Sequence, residues 1–314
     1  MKTLEQTAKY LQKNDHFLIL THRRPDGDAV GSAAALCMGL RQLGKDAELF
    51  PNPQFGAKFS PLYFGLLGSG DPRGKKLISV DLAAETLLPY NAAGLAGRTE
   101  FAIDHHGSHQ NYAKQWYVDA EAAACGEIIL RLLQMLGAEI TPQIADALYI
   151  AIATDTGRFC YDNTTADTFR AAAICREAGA DTAEWNRILF TAKTMGRRRI
   201  EAYLTEHTEL YRDGKLALCM LPNSVVKDFG VQEDELDDIS GFPRDLEGVQ
   251  IGVMIRDVKD GARISLRTDG SWDASAICAE LGGGGHSAAA GATVPGTLED
   301  GKAAILNALK KFEV

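Results

Sequence analysis

The segment HFLILTHRRPDGDAVGSAAALCMGLRQLG, residues 16–44, decides the interpretation of this chain. Its first six residues, His16–Thr21, form an apolar run of strand length, and a polar turn follows directly. Asp28–Leu43 then shows the pattern of a helix rich in small side chains, which Gly44 ends. A buried strand, a polar turn and a helix form the repeating unit of a parallel sheet with helices on its faces.

The same alternation continues to about residue 190, which predicts a doubly wound, mainly parallel α/β domain over residues 1–190. Strands are predicted at Lys76–Val80 and Thr99–Ile103. Helices are predicted at Glu121–Leu136, Pro142–Thr154, Thr165–Ala178 and Thr182–Phe190. Strands that alternate with helices favour this fold class over an all-helical or all-β domain.

The remainder of the chain has a different character. Residues 191–212 are predicted to be a helical linker, with Arg197–Arg199 on a solvated face. Residues 213–314 are predicted to form a smaller α+β domain, in which Glu233–Asp238 is a solvated acidic loop. Its expected strands and helices are Lys215–Leu221, Val249–Asp257, Ala262–Thr268, Asp273–Leu281, Ala289–Val294 and Glu299–Phe312.

Composition limits the classes of function. The formal charge of −9 argues against binding of long duplex nucleic acid, which requires many cations. The chain begins without the apolar core of a signal peptide, and no apolar run is long enough to span a membrane. None of the six cysteines has CxxC spacing, which favours free thiols in a reducing compartment. We therefore expect a cytoplasmic protein of about two domains.

Three polar clusters follow predicted strands, where an open parallel sheet collects its ligands, and a fourth ends the predicted helix Pro142–Thr154. Each cluster alone is weak evidence for a ligand site, because an Asp after a strand is usually a turn or cap residue. Asp28, for example, could cap its own helix. Together they would bring four carboxylates and two or more imidazoles to one sheet edge. The candidates are His22, Asp26, Asp28, Asp81, Asp104, His105, His106 and Asp155.

Charge balance favours two divalent ions at this edge. Unscreened carboxylates would repel one another, and two ions of charge +2 balance Asp26, Asp28, Asp81 and Asp155. Carboxylate and imidazole ligands without a thiolate favour Mn²⁺, with Mg²⁺ or Co²⁺ as possible substitutes. Two such metals are typical of phosphoester hydrolysis.

These motifs resemble the DHH phosphoesterase superfamily, and the resemblance covers nearly the whole chain. Within that superfamily, the size and the C-terminal part resemble the bifunctional oligoribonuclease/adenosine-bisphosphate phosphatase (nanoRNase) group. The resemblance implies a first metal held by His22, Asp26 and Asp81, and a second held by Asp28, Asp81, His105 and Asp155. It implies that His106 faces the substrate phosphate and that Asp104 orients the neighbouring histidines. His109 lies outside the motif and is expected on the surface.

The glycine tract Gly282–Gly285, followed by His286, is the main feature of the second domain. By composition alone, a flexible turn and a phosphate-binding loop are equally good interpretations. Strand alternation places Arg263, Ser265 and Arg267 on one face, which could be solvated or could bind an anion. The resemblance favours substrate binding by these three residues and by Gly283, Gly284, Gly285 and His286.

We therefore predict a two-metal hydrolase in which a short substrate bridges the two domains. The expected substrates are short oligonucleotides, including linear dinucleotides, and adenosine 3′,5′-bisphosphate, whose 3′-phosphate would be removed. The alternatives are an inorganic pyrophosphatase, a single-strand exonuclease and a non-catalytic nucleotide sensor. Arg158 could contact substrate or serve as a helix-end cation, and a homodimer is possible.

Overall fold

The computed structural model describes residues 1–236 and 238–312. The chain divides into two compact units with the boundary between Ala192 and Lys193. None of the described helices is both long enough and apolar enough to cross a membrane.

The first unit contains a five-stranded parallel sheet, so the predicted α/β class is confirmed. Its strand order is β2-β1-β3-β4-β5. Apolar side chains of β1 alternate between the two faces, where Ile19 and Leu20 join different buried clusters. The elements are α1 (Leu4–Lys13), β1 (Phe17–Leu20), α2 (Gly27–Gln42), β2 (Ala47–Leu49), α3 (Ser60–Tyr63), β3 (Lys76–Val80), β4 (Phe101–Asp104), β5 (Gln115–Val118), α4 (Cys125–Leu136), α5 (Pro142–Asp155), α6 (Ala166–Glu177) and α7 (Thr182–Asn186). Short 3₁₀ helices lie at Ala57–Phe59, Glu85–Leu87 and Tyr90–Leu95, and a π-helical turn covers Arg187–Thr191.

Small residues of α2 allow it to pack closely against α5. A Cβ atom at Gly31 would lie only 2.3 Å from the carbonyl oxygen of Ala147, so a larger residue would push the helices apart. Gly27 is similarly close to Thr154, near the other end of the contact. The start of α2 therefore lies beside the end of α5.

The second unit contains a six-stranded mixed sheet with the order β10-β11-β9-β8-β7-β6. One apolar cluster packs it against its last two helices, and a second cluster lies around Met254 with the first helix. The elements are α8 (Met195–Glu206), β6 (Glu209–Tyr211), β7 (Leu216–Leu221), α9 (Asn223–Asp228), β8 (Ile251–Val258), β9 (Gly261–Thr268), α10 (Ala274–Ala279), β10 (Gly284–Gly285), β11 (Ala289–Val294) and α11 (Leu298–Lys310). Two 3₁₀ helices lie at Glu233–Leu236 and Ile239–Asp245. Helix α8, within the predicted linker, is part of this unit.

The predicted solvation of the arginine run is wrong for Arg197, whose side chain is buried. Its guanidinium donates to the carbonyl oxygen of Glu235 and to the carboxylate of Asp238, while Arg198 and Arg199 are exposed. The acidic segment is therefore not simply a solvated loop, since two of its residues pair with a buried cation. Asp237 of that segment lies outside the described residues.

Candidate metal centre

Polar side chains meet at the carboxyl ends of three neighbouring strands. His22 comes after β1, Asp81 directly after β3 and His105 directly after β4, and β3 pairs with both of the other strands. Nε2 of His22 lies 3.9 Å from Oδ2 of Asp81, and Nε2 of His105 lies 3.5 Å from Oδ1 of Asp81. The two oxygens of one carboxylate therefore face two different histidines.

Helices α2 and α5 supply the remaining carboxylates. Nε2 of His105 lies 3.7 Å from Oδ2 of Asp28 and 3.5 Å from Oδ2 of Asp155. Nε2 of His22 lies 3.9 Å from Oδ1 of Asp26. The close packing of α2 on α5 thus brings Asp28 and Asp155 to one imidazole. All six predicted ligands lie in this cluster.

Asp28 does not cap its own helix, which was the alternative that the sequence left open. The cap is Asp26, whose carboxylate accepts a hydrogen bond from the backbone of Ala29. The buried carboxylate of Asp28 instead accepts backbone N–H bonds from Cys125 (2.6 Å) and Gly126 (3.0 Å), at the start of α4. A helix N-terminus favours a negative charge, so these bonds fix the position of the carboxylate and favour its ionised form. Burial nevertheless raises the pKa of Asp28 above its ordinary value.

Asp81 is held in an unusual backbone conformation. Its φ angle is +54°, in the left-handed region that residues other than glycine rarely adopt. The hydroxyl of Tyr112 contacts Oγ of Ser79 (2.7 Å) and donates to the carbonyl oxygen of Leu82 (2.9 Å), on either side of Asp81. The strain and this two-sided clamp point to a functional requirement for the position of the Asp81 carboxylate.

The electrostatics of the cluster are those of carboxylates that require a counter-charge. Burial raises the pKa of Asp81 well above its ordinary value, and the charges of Asp28 and Asp26 raise it further. Burial, followed by the same two charges, raises the pKa of Asp155 to about 8. Without cations, Asp155 therefore favours the protonated form at neutral pH, and the environment of Asp81 acts in the same direction.

The residues fit divalent metal ions by two criteria. Oδ1 of Asp81 is buried and accepts no hydrogen bond from the described residues, as expected of an atom that binds an ion. The donor atoms also converge in groups, one of which contains His22, Asp26 and Asp81 and another Asp28, His105 and Asp155. Carboxylate and imidazole donors together suit Mn²⁺ and similar ions.

Asp104 orients His106. Its Oδ1 lies 2.8 Å from Nδ1 of His106. Burial works to raise the pKa of Asp104, but hydrogen bonds from His106 and His109 outweigh it and lower the pKa. Because Nδ1 of His106 is engaged with an ionised carboxylate, it serves as a donor rather than as a metal ligand. A third group of converging donors includes His106, and this hydrogen bond argues against coordination through its Nδ1.

The expectation that His109 lies on the surface is wrong. Its side chain is 2% exposed, and its Nδ1 lies 2.7 Å from Oδ2 of Asp104. A tight turn, closed by the backbone bond from His109 N to His106 O, returns it to the strand end. A lone histidine in a polar loop gives no indication of this turn, so the sequence offered no signal for the burial of His109.

Most of the predicted substrate residues of the second unit share one face of its sheet, whereas Gly283 and Gly285 alternate to the other face. Along β9, Ile264 and Leu266 are buried, whereas Ser265 and Arg267 are half-buried, which confirms the predicted alternation. Ser265 is opposite Gly291 of β11, and Gly291 is opposite Gly284 of β10. Directly opposed residues point to the same side of a sheet. Two residues without side chains therefore leave the surface beside Ser265 uncovered.

His286 lies in the next row of the same sheet. It exchanges both backbone hydrogen bonds with Ala289, at 2.8 and 3.2 Å, and Ala289 is opposite Arg267. The register thus places His286 on the same face as Arg267, and the His286 residue is exposed. The guanidinium of Arg267 donates to Oγ of Ser240 (3.0 Å), which constrains its direction.

Three of the four glycines have structural reasons of their own. Gly282 has a φ of +72° and Gly285 a φ of +153°, both suited to glycine. A Cβ at Gly283 would lie 2.2 Å from the carbonyl oxygen of Gly291, so β10 could not pair with β11. Gly284 is different, because a Cβ there would meet nothing within 4 Å. Packing within the chain does not explain why this position lacks a side chain.

Comparison with known families gives matches to both units. The model of the DHH family, N-terminal domain, matches residues 16–152, and the model of the DHHA1 domain matches residues 214–313. A Thermus thermophilus protein named bifunctional oligoribonuclease and PAP phosphatase NrnA is 33% identical over 298 residues. That similarity covers 93% of this chain and 89% of the relative.

Solved structures share the fold. An exopolyphosphatase-related protein from Bacteroides fragilis superposes with a TM-score of 0.89 at 22% identity, over 98% of this chain and 96% of that protein. RecJ from Thermus thermophilus, solved in complex with Mn²⁺, superposes with a TM-score of 0.52 at 13% identity. The second similarity covers 98% of this chain and 54% of RecJ. At these identities, the superpositions bear on the fold alone.

Proposed function

Because this chain belongs to the DHH family and carries a DHHA1 domain, we propose that it is a metal-dependent phosphoesterase that acts on short nucleotides. Its substrates would be short oligonucleotides, cut to nucleoside monophosphates, and adenosine 3′,5′-bisphosphate, which would lose its 3′-phosphate. The name of the Thermus thermophilus relative supports both activities, since the similarity spans most of both chains.

One observation carries the metal requirement of this proposal: Asp81 presents one oxygen to His22 and the other to His105. A carboxylate that faces two donor groups suits a pair of ions. We propose two divalent ions, preferably Mn²⁺, one held by His22, Asp26 and Asp81 and the other by Asp28, Asp81, His105 and Asp155. When bound, such ions polarise the phosphate and activate the attacking water.

The protein's own contribution at this centre is to orient and neutralise the phosphate. Asp104 holds Nδ1 of His106, which leaves the opposite side of this partly exposed ring for the substrate. Burial opposes protonation of His106, but the hydrogen bond and charge of Asp104 outweigh it and raise the pKa. We propose that His106 donates a hydrogen bond to a phosphate oxygen, which offsets negative charge as the ester bond breaks.

We propose that the second unit recognises the remainder of the nucleotide. Arg263, Ser265, Arg267 and His286 supply cations and a hydroxyl on one sheet face. Gly283, Gly284 and Gly285 have no side chains that would cover the backbone, so that a phosphate can approach closely. The N–H of Gly283 already donates to the carbonyl oxygen of Cys278 (2.9 Å), so the backbone donors for the phosphate would come from the other two glycines. A terminal phosphate bound here would favour short substrates and cleavage from an end.

The test is a substrate panel with Mn²⁺ for the wild type and Asp81→Asn. The panel contains adenosine 3′,5′-bisphosphate, RNA of two to five nucleotides, a 24-nucleotide single strand and pyrophosphate. We expect the wild type to hydrolyse the bisphosphate and the short RNA fastest, and the isosteric variant to lose activity on every substrate. Fastest hydrolysis of pyrophosphate or of the long strand would overturn the assignment in favour of those alternatives. No hydrolysis of any substrate would favour a non-catalytic sensor.

A further inference from the structure

His109 and His106 hold opposite oxygens of the same buried carboxylate. Nδ1 of His109 lies 2.7 Å from Oδ2 of Asp104, and Nδ1 of His106 lies 2.8 Å from Oδ1. An ionised carboxylate only accepts hydrogen bonds, so both ring nitrogens must donate. We propose that His109 is a positioning residue that fixes the Asp104 carboxylate and, through it, the ring of His106. The inference rests on the proposed function for its catalytic consequence, whereas the geometry stands independently.

The two oxygens of Asp104 are held very differently. Oδ1 also accepts the backbone N–H groups of His105 (2.8 Å) and His106 (3.3 Å). Oδ2 accepts from His109, and the whole residue is fully buried. Loss of His109 would therefore remove the donor that holds Oδ2, while the opposite oxygen would keep its backbone bonds. The carboxyl group would then be less restricted about its terminal torsion.

Packing alone does not account for a histidine at this position. Nε2 of His109 is buried and has no hydrogen-bond partner among the described residues. A leucine or phenylalanine could fill the space without burying an unpartnered nitrogen, which is unfavourable. The ring also packs against Tyr112, with centroids 5.2 Å apart, but a phenylalanine would serve that contact equally. The feature that distinguishes histidine here is its Nδ1 donor.

The consequence for catalysis is specific to His106. A fixed Asp104 selects the orientation in which Nδ1 of His106 points inward and its other nitrogen faces away. If the carboxylate rotates, the ring samples other orientations and tautomers. The reacting phosphate would then lose an aligned donor, whereas substrate recognition by the second unit would be unchanged. We therefore expect an effect on kcat rather than on KM.

A matched pair of variants separates the effect of the N–H donor of His109 from the effect of its side-chain volume. His109→Asn keeps an N–H donor near the position of Nδ1, whereas His109→Leu has similar volume without a donor. We expect His109→Leu to lower kcat about 10- to 100-fold, with KM changed by less than about threefold. We expect His109→Asn to retain kcat within about threefold of the wild type. His109→Phe, which keeps a ring against Tyr112, is the second donor-free variant if His109→Leu does not fold.

The second readout is ¹H–¹⁵N NMR of the histidine rings in metal-free, substrate-free protein. We expect a protected Nδ1 proton on His106 in the wild type and His109→Asn, and its loss by exchange in the donor-free variant. A donor-free variant that keeps this proton and wild-type kcat would overturn the proposal. Equal losses of kcat in His109→Leu and His109→Asn, each in proportion to a fall in Tm, would also overturn the proposal. Such losses would indicate that the effect of the substitutions is on packing. If the wild type hydrolyses no short nucleotide, the proposed function fails, yet the NMR comparison still decides the role of His109.

Discussion

Oδ1 of Asp81 lies 3.5 Å from Nε2 of His105, and the two residues directly follow neighbouring parallel strands that end at the same sheet edge. This oxygen is buried and has no hydrogen-bond donor among the described residues. The backbone of Asp81 is also in the left-handed region. A protein that holds a carboxylate in this way gives up stability in the metal-free state, and it regains that stability when a cation binds.

We expect Asp81→Asn to separate the stability of the fold from its use of metal. The variant removes a carboxyl group whose ionised form is disfavoured by burial and by neighbouring carboxylates, so the metal-free protein should have a higher Tm than the wild type. Mn²⁺ should raise the Tm of the variant much less, and turnover should fall by more than about 100-fold. Thermal unfolding with chelator and with Mn²⁺, followed by the hydrolysis assay, measures all three effects. An unchanged stabilisation by Mn²⁺ would argue against Asp81 as a ligand.

The raised pKa of Asp155 predicts a pH dependence of stability in the metal-free protein. Its folded pKa is about 8 and its ordinary value is 3.8, so between these values the folded chain binds a proton that the unfolded chain releases. The contribution to stability is therefore fully present below the lower value and is lost as the pH rises through about 8. We expect the free energy of unfolding of Asp155→Asn, relative to the wild type, to increase from about pH 5 to pH 8.

The comparison requires denaturant unfolding of both proteins in chelator at several pH values. Asp155→Asn is the matched control. Groups that the substitution leaves unperturbed titrate alike in both proteins, so their contributions cancel in the difference in unfolding free energy. With Mn²⁺ the trend should reverse, since metal binding competes with protons and strengthens as the pH rises. A difference that does not vary with pH would show that Asp155 titrates normally.

The metal cluster could be predicted because most of its ligand side chains lie at the ends of strands, which the sheet brings together. A parallel sheet places the ends of β1, β3 and β4 at one edge, and each apolar run is recognisable in the sequence. Strands β2 and β5 were not predicted, for a physical reason. Strand β2 has only three residues, and β5 is an edge strand whose residues are all half-buried, so neither shows a strong apolar signal.

Long-range partners account for the other errors. Arg197 is one of three consecutive arginines, and its burial depends on Asp238, which is 41 residues away in sequence. No helical periodicity identifies which of the three will meet a carboxylate. His109 was assigned to the surface because nothing in the sequence indicates that its loop turns back on Asp104. Whether a charged residue or a histidine is buried depends on its partner in the tertiary structure. Local sequence patterns do not identify that partner.

The Tyr112 hydroxyl provides a test of how the Asp81 turn is supported. Tyr112→Phe removes the contacts to Ser79 and to the Leu82 carbonyl, and leaves that carbonyl without this donor. We expect a loss of about 1–3 kcal/mol in the free energy of unfolding. Ser79→Ala should reduce the effect of Tyr112→Phe in a double-mutant cycle, because the two hydroxyls share one contact. Additive effects in urea unfolding would contradict this coupling.

Gly283 and Gly284 are neighbours with opposite expected consequences. Gly283→Ala would place a Cβ 2.2 Å from a backbone oxygen, so it should lower the free energy of unfolding by about 1–3 kcal/mol. Gly284→Ala meets nothing within 4 Å and should leave Tm nearly unchanged. If a phosphate approaches this backbone, Gly284→Ala should instead raise KM for adenosine 3′,5′-bisphosphate about tenfold, which corresponds to one weakened charge-assisted hydrogen bond. Wild-type KM in stable Gly284→Ala would indicate that the substrate does not approach here.

Arg267 and His286 should act on the same phosphate, because the pairing through Ala289 places them in one row on one face. Each alanine substitution should raise KM for adenosine 3′,5′-bisphosphate about tenfold or more, with a smaller effect on kcat. The double variant should raise KM by less than the product of the single effects, since a phosphate that has lost one partner is held less firmly by the other. Steady-state kinetics of the four proteins measure the coupling, and Tm shows whether loss of the Arg267–Ser240 bond disturbs the fold. Strictly multiplicative effects would mean that the two side chains contact separate parts of the substrate, and unchanged KM in both single variants would remove this face from the binding site.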